Sequence, residues 1–279
     1  MARAIELIER DIAALQAAIQ GMAAQLHNAY ASYLTTLGQA LGKQLILGSY
    51  HLCTQGYPEN FLKLSLSQRQ RLQQGIRHLG KEAADLLLSH IQSEGEQTEE
   101  KNEDEEVTYT MSDSSAVPQI NSTPKSFTPL LSNPIELAKW QQNLENLIQE
   151  VLRNVSRDAN VLLQKANILP NKLPEPILEA AAAVSEASAE MMPGPPNLLN
   201  LMVQMENEQD SEESKLTQII AIKLRLAEIE FGDTKLSSER RQIRDILVQL
   251  NKIGRDYQKK QRERSVAEAE SAWRASWFE

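Results

Sequence analysis

Residues 5–33, IELIERDIAALQAAIQGMAAQLHNAYASY, decide the fold class of this 279-residue chain. Apolar residues recur through the stretch at steps of three and four, the spacing that places them on one face of an α-helix and, when sustained, forms heptads. They are Ile5, Ile8, Ile12, Leu15, Ile19, Met22, Leu26, Ala29 and Tyr33. After Tyr33 the apolar pattern shifts phase and continues to Leu45. We therefore predict a long first helix that reaches the Gly48 region and meets different partners along its length.

Shorter ladders of the same kind occur in three other places. They run from Leu72 to Leu86, from Leu137 to Val151 and from Ile243 to Tyr257. The chain is 41% apolar but only 5% aromatic, so its apolar content lies in Leu, Ile and Ala, which suit helices better than strands. We predict an all-α protein, and no run of residues indicates a β-strand.

Proline and charge divide the chain into three parts. Residues 1–92 are predicted to form a long helical hairpin, with a turn at 56–60 and a second helix capped by Ser65 or Ser67. Residues 93–132 begin with eight acids against one lysine and continue with Ser, Thr and Pro, which predicts a disordered acidic tether. Residues 133–279 are predicted to form a C-terminal helical bundle or coiled-coil module.

Proline-rich breaks at 170–176 and 193–196 subdivide the C-terminal module. The predicted helices there run from Pro134 to about Leu169, from Ile177 to about Met191, from Lys215 to Phe231, and from Ser237 or Ser238 nearly to Glu279.

Composition also predicts where the protein works. The net charge is -9, which disfavours nonspecific binding of the whole molecule to nucleic acid. The first residues carry acids within their apolar pattern, so we expect no secretory signal, and no apolar stretch reaches the ~18 residues of a membrane-spanning helix. The single cysteine, Cys53, fits a reducing compartment, and we expect a cytoplasmic protein.

The chain lacks the motifs that specify a reaction. G-x-G-x-x-G, G-x-S-x-G and paired C-x-x-C patterns are absent, and no histidine has a Glu three residues before it. His51 and Cys53 are close in sequence, but a helix end gives no reason to expect nucleophile geometry between them. We predict no catalytic site, no metal and no cofactor.

Two apolar clusters are candidates for binding a protein partner. The first is the C-terminal aromatic group formed by Trp273, Trp277 and Phe278, which either folds back onto the chain's own helices or anchors a partner. The second is a cluster formed by Leu198, Leu199, Met202 and Met205, which either packs between neighbouring helices or serves as a short binding segment.

The last helix carries an excess of basic residues over acidic ones. Its candidate residues for an anionic surface are Lys259, Lys260, Arg262 and Arg264. Acids are interspersed along the same helix, so an ordinary solvated face is the alternative.

These observations favour a non-enzymatic adaptor or scaffold that binds protein partners, or further copies of itself, through its helices. The alternative is a peripheral protein that binds an anionic membrane surface, and less readily nucleic acid, through the last helix and its aromatic end. An enzyme with a site between helices is a third possibility that residue spacing does not reveal.

Overall fold

The computed structural model describes residues 2–100, 134–170, 195–205 and 215–277. These form two compact units. Unit 1 contains the described residues within 1–32, 89–144 and 239–279, and unit 2 contains those within 33–88 and 145–238.

Helices dominate the described residues, which confirms the predicted all-α class. In chain order they are α1 (Ala2–His51), a π-helical turn (Leu52–Gly56), α2 (Pro58–Lys63), α3 (Leu66–Glu100), α4 (Pro134–Lys165), α5 (Leu226–Gly232) and α6 (Thr234–Ala275). The predicted helix at 177–191 and the 101–132 portion of the predicted tether lie outside the described residues.

Two predictions about secondary structure are wrong: two β-strands form where none was expected, and the last helix begins at Thr234, after Asp233, and not after Ser237 or Ser238. The segment expected to be helical from Lys215 to Phe231 begins instead as a strand, β2 (Lys215–Ile222), and only then forms α5. It pairs antiparallel with β1 (Leu198–Met205), with Leu198 opposite Ile222 and Met205 opposite Lys215. Backbone hydrogen bonds to side chains of unit 2 explain why this segment is extended.

Asn160 and Tyr57 hold the outer edge of β2. The Asn160 side chain accepts a hydrogen bond from the Ile222 amide and donates one to the Ile222 carbonyl, each 2.9 Å long. The Tyr57 hydroxyl accepts a hydrogen bond of 3.0 Å from the Ile220 amide. These bonds satisfy peptide groups that a helical conformation would have satisfied internally, so tertiary partners override the helical pattern.

Asn197 fixes the entry into β1. Its φ of 60° lies in the left-handed region, which Asn tolerates better than most residues. Its carbonyl accepts a hydrogen bond from the Lys223 amide at 3.0 Å, and its side chain accepts one from the Arg225 amide at 3.0 Å. The same side chain donates to the Gln44 side chain at 3.1 Å, so the hairpin is tied to α1.

The predicted antiparallel packing of the first two long helices is confirmed in unit 2. A Cβ atom placed on Gly38 would lie 2.7 Å from the Ala84 Cβ, and one on Gly80 would lie 3.1 Å from the Gly42 Cα. Because residue numbers rise on α1 as they fall on α3, the two helices run antiparallel. The glycines allow their backbones to approach closely.

The start of α3 has the predicted cap. The Ser65 hydroxyl accepts a hydrogen bond from the Gln68 amide at 3.4 Å, and the Gln68 side chain accepts one from the Ser65 amide at 2.8 Å. This reciprocal pair is a capping box, and it identifies Ser65 as the cap.

Unit 1 is a packed set of helix segments. Trp140 of α4 stacks on His27 with ring centroids 6.1 Å apart and meets Tyr30 edge-on at 5.5 Å. Ile19 and Leu26 of the first ladder are fully buried. The apolar ladder that predicts α1 therefore also forms the core of this unit.

Candidate interaction surfaces

The face of α6 opposite its packed side carries a continuous row of exposed residues, which we call the α6 stripe. Each step along it is three or four residues, and ten steps cover 36 residues. The mean step is therefore 3.6 residues, which equals the helical turn and makes the row run straight along the helix. Its members are Arg241, Arg244, Val248, Lys252, Arg255, Lys259, Arg262, Val266, Ala269, Trp273 and, in the turn that follows the helix, Trp277.

Packing against α1 fixes which face of α6 is exposed. Ile243 and Leu250 are buried on the packed side. The Gln16 side chain donates a hydrogen bond to the Tyr257 hydroxyl at 3.3 Å, and Ser32 donates one to Glu239 at 2.7 Å. The apolar ladder of α6 therefore sets its rotation, and the stripe faces away from the unit 1 core.

Charge is segregated along the stripe. From Arg241 to Arg262 it holds six cations and one valine but no acid, over about 32 Å of helix. Asp245, Asp256 and Glu263 each directly follow a stripe cation, so they lie about 100° around the helix from it. Across the described residues, none of the six cations forms an ion pair.

Two of the four cations proposed from sequence lie off the stripe. Lys260 forms an ion pair with Asp11 at 3.1 Å and another with Glu263 at 3.0 Å. Hydrogen bonds to both carboxylates raise the pKa of the Lys260 ammonium, and the one to Glu263 has the larger effect. Arg264 pairs with Glu268 at 2.9 Å. Lys259 lies on the exposed face. Arg262 also lies on the exposed face, so Lys259 and Arg262 are the two sequence candidates that belong to the stripe.

Four stripe cations belong to the basic run of the last helix but were not among the four candidate residues chosen from the sequence. They are Arg241, Arg244, Lys252 and Arg255. Together with Val248 they are spaced by three or four residues, as the apolar ladder is, but they lie out of phase with it. Applied to polar residues, the same helical spacing places them on one face with Lys259 and Arg262.

The aromatic end of the stripe is uncovered in the described part of the chain. Trp273 and Trp277 are 66% and 73% exposed, and their ring centroids are 5.8 Å apart. The two rings therefore contact each other and do not fold back into the core of unit 1. Phe278 lies outside the described residues.

The second sequence candidate, the Leu198 to Met205 cluster, became strand β1. Leu199 is 3% exposed and packs inside unit 2, which favours the packing alternative for this residue over a partner contact. Leu198 is half-buried and lies near Gly48 of α1. The side chains of Met202 and Met205 lie outside the described residues.

An apolar surface that the sequence did not single out lies on α1 in unit 2. Ile46, Leu47 and Tyr50 are 46%, 40% and 58% exposed and occupy adjacent positions on the helix surface. We call these three residues the α1 patch. A helix face in contact with water is normally polar, so a patch of this kind is typical of an interaction surface.

Cys53 has the properties of a buried structural residue. It is 6% exposed, and burial raises the pKa of its thiol from the usual 9.0 to about 11. A nucleophilic cysteine needs the opposite shift, because the thiolate is the reactive form. This finding argues against the pairing of Cys53 with His51 as nucleophile and base.

Metal-binding clusters and membrane-spanning helices are both absent from the described residues. They contain no group of three or more His, Cys, Asp or Glu side chains placed to hold a metal ion. Among the helices in these ranges, none combines the length and apolar character needed to cross a bilayer. In comparisons with known proteins, no family model, curated protein or solved structure matches the chain.

Proposed function

We propose that this chain is a non-enzymatic adaptor that binds a protein partner through the α1 patch of unit 2. The observation that carries the proposal is the exposure of Ile46, Leu47 and Tyr50 on a helix whose other sides are covered. Leu41, Leu45 and Leu52 are fully buried in α1 and the turn that follows it. Within the described part of the chain, α1 thus keeps an apolar surface that the core of unit 2 does not use.

The surroundings of the patch support a preformed docking site. A Cβ added to Gly48 would lie 3.9 Å from the Asn197 carbonyl oxygen, so the β-hairpin lies beside the patch. On another side of α1, Gly38 and Gly42 pack against α3. Both neighbours hold α1 in place, so binding here does not require ordering of the helix first, which lowers the entropic cost of association.

The chemistry of the patch favours an apolar partner helix or segment. Tyr50 follows Ile46 by four residues and Leu47 by three, and both steps occur among the anchors of helix-in-groove recognition. Tyr50 adds a large ring with a polar tip, a residue type that is enriched at binding hot spots. The single cysteine supports a cytoplasmic site of action for this adaptor.

The test replaces one patch residue and compares it with a matched control. Leu47→Glu adds a charge at the centre of the patch, whereas Gln39→Glu adds the same charge at an exposed α1 position in the same unit, two turns earlier. Proteins crosslinked to the full chain in cells are quantified for both variants and the parent chain. We expect a defined subset to be lost from Leu47→Glu and kept by Gln39→Glu, with equal helical circular dichroism.

A second variant separates a specific contact from general surface charge. Tyr50→Ser removes the ring without adding charge, and we expect it to weaken capture of the same proteins. If Leu47→Glu and Tyr50→Ser both retain every protein captured by the parent chain, the adaptor proposal is wrong. If the parent chain alone sediments faster as its concentration rises, and Leu47→Glu abolishes this effect, the patch binds a second copy of the chain instead.

A further inference from the structure

The α6 stripe joins two chemically different halves in one straight line. Its first part, from Arg241 to Arg262, is cationic, and its last part, from Val266 to Trp277, is apolar and aromatic. All eleven members are exposed, and they belong to one unit. A face that only needed to be solvated would mix acids with the bases and would not place two tryptophans in the same row.

We propose that α6 lies flat on an anionic lipid bilayer, with its cations against the lipid headgroups and Trp273 and Trp277 inserted at the interface. This inference goes beyond the adaptor function and uses a different unit, so the two are tested independently. Binding of this kind needs two signals, because electrostatic attraction or a small apolar surface alone is weak and reversible. The stripe supplies both on one line.

The placement of the charges supports a flat anionic surface in particular. The cations are free of ion pairs with other described residues, so their charge is available to an external anion. The rest of the chain is acidic enough to bring the net charge to -9, which turns the other faces away from an anionic surface. A protein that approached such a surface would therefore orient with the stripe towards it.

A nucleic acid fits this face less well than a bilayer. A helix in the major groove has phosphates on both of its flanks, and its own flanks must then be neutral or basic. Asp245, Asp256 and Glu263 occupy one flank of the stripe and would meet those phosphates. A helix lying on a bilayer contacts the surface along one line only, and flanking acids are tolerated there.

The aromatic end adds a separate argument for a lipid surface. Tryptophan is enriched at membrane interfaces, where its ring contacts acyl chains and its indole N–H contacts the headgroups. Val266, Ala269, Trp273 and Trp277 repeat at steps of three or four, so they reach the same depth when the helix lies parallel to the surface. The exposure of both rings in this unit leaves them available for insertion.

Vesicle flotation of the full chain tests the proposal. Vesicles contain phosphatidylcholine alone or with about one third phosphatidylserine, and binding is measured from low to high salt. The stripe variant is Lys259→Glu/Arg262→Glu, and its control is Arg10→Glu/Lys139→Glu, which changes the net charge equally at two exposed unit 1 positions on other helices. We expect the parent chain and the control to bind only the anionic vesicles, with affinity that falls as salt rises.

The stripe variant should bind anionic vesicles at least about tenfold more weakly than the parent chain, because each basic residue near such a surface contributes severalfold to affinity. Lys259→Gln/Arg262→Gln should fall between the two. Trp273→Ala/Trp277→Ala should weaken the binding that persists at high salt. Circular dichroism of each variant checks that the helices remain intact.

Three results would overturn the proposal. The first is no binding of the parent chain to anionic vesicles at low salt. The second is equal loss of binding in the stripe and control variants, which would show an effect of net charge alone. The third is tight, salt-dependent binding to a DNA or RNA oligonucleotide without vesicle binding, which would identify nucleic acid as the occupant of the stripe.

Discussion

The close approach of α1 and α3 in unit 2 makes a quantitative prediction about Gly38. A Cβ added to Gly38 would lie 2.7 Å from the Cβ and 3.0 Å from the Cα of Ala84. Neither atom belongs to a flexible side chain that is able to rotate away, so the helices must separate locally. Overpacking of this size costs about 1–3 kcal/mol of stability. Replacing a helical glycine by alanine returns about 0.5–1 kcal/mol.

The net expectation for Gly38→Ala is a loss of about 1–2 kcal/mol. Gly42→Ala is the matched control, because Gly42 lies one turn later in the same helix and an added Cβ there meets no atom within 4 Å. It should gain about 0.5–1 kcal/mol, so the two substitutions act with opposite sign. Thermal unfolding followed by circular dichroism should show Tm lowered by about 3–6 °C for Gly38→Ala and raised by about 1–3 °C for Gly42→Ala.

A second substitution checks the cause. Ala84→Gly removes the atom that an alanine at position 38 would strike, so the double variant should be more stable than the sum of the single effects predicts, by about 1 kcal/mol or more. If Gly38→Ala stabilised the protein as much as Gly42→Ala does, the proposed close packing of the two helices would be wrong.

Three further predictions concern other parts of unit 2. Asn160→Ala removes both hydrogen bonds to Ile222 and should destabilise the protein by about 2–4 kcal/mol. Hydrogen exchange at the Ile222 amide should become faster, and an unchanged exchange rate would contradict the anchoring of β2 by Asn160. Ser65→Ala removes the α3 cap and should lower the free energy of unfolding by about 1 kcal/mol, measured by urea denaturation. Equal urea midpoints for parent and variant would contradict the role of this cap. Because the Cys53 thiol has a pKa of about 11 in place of 9.0, its thiolate fraction at pH 8 is about 100-fold below that of an ordinary thiol. Alkylation of the folded chain should be slower by at least that factor and should accelerate as pH rises towards 11; a rate equal to that of the unfolded chain would refute the burial of Cys53.

Sequence periodicity predicted the helices well because long apolar ladders have few alternative structures. The ladder from Ile5 to Tyr33 is continuous, and no proline lies within it. The capping serine of α3 was also predictable, since Ser65 and Gln68 have the spacing of a capping box. In these segments, local pattern and tertiary packing favour the same structure.

Strand β2 was missed because tertiary contacts decide its conformation. Ile219 and Ile222 are three residues apart, which places them on one face of a helix but on opposite faces of a strand, so their spacing favours a helix. The strand depends on Asn160 and Tyr57, which lie about 60 and 160 residues away in sequence and supply hydrogen bonds to its outer edge. Periodicity within a window of residues contains no information about such partners.

The candidate surfaces were only partly predictable for a related reason. The basic character of the last helix and the pairing of Trp273 with Trp277 follow from spacing alone. The involvement of Lys260 in ion pairs does not, because one of its partners, Asp11, lies on α1. The exposure of the α1 patch depends likewise on which sides of α1 its neighbours cover.

Depth-dependent quenching of tryptophan fluorescence tests the binding role of the exposed α6 stripe most directly. In a Trp140→Phe variant the remaining tryptophans are Trp273 and Trp277, so the signal reports the end of the stripe alone. With vesicles that carry brominated acyl chains and about one third phosphatidylserine, we predict strong quenching that is greatest for bromines near the headgroups. Neutral vesicles should cause little quenching. Equal fluorescence with brominated and ordinary anionic vesicles would contradict the insertion of these rings and with it the membrane role of α6.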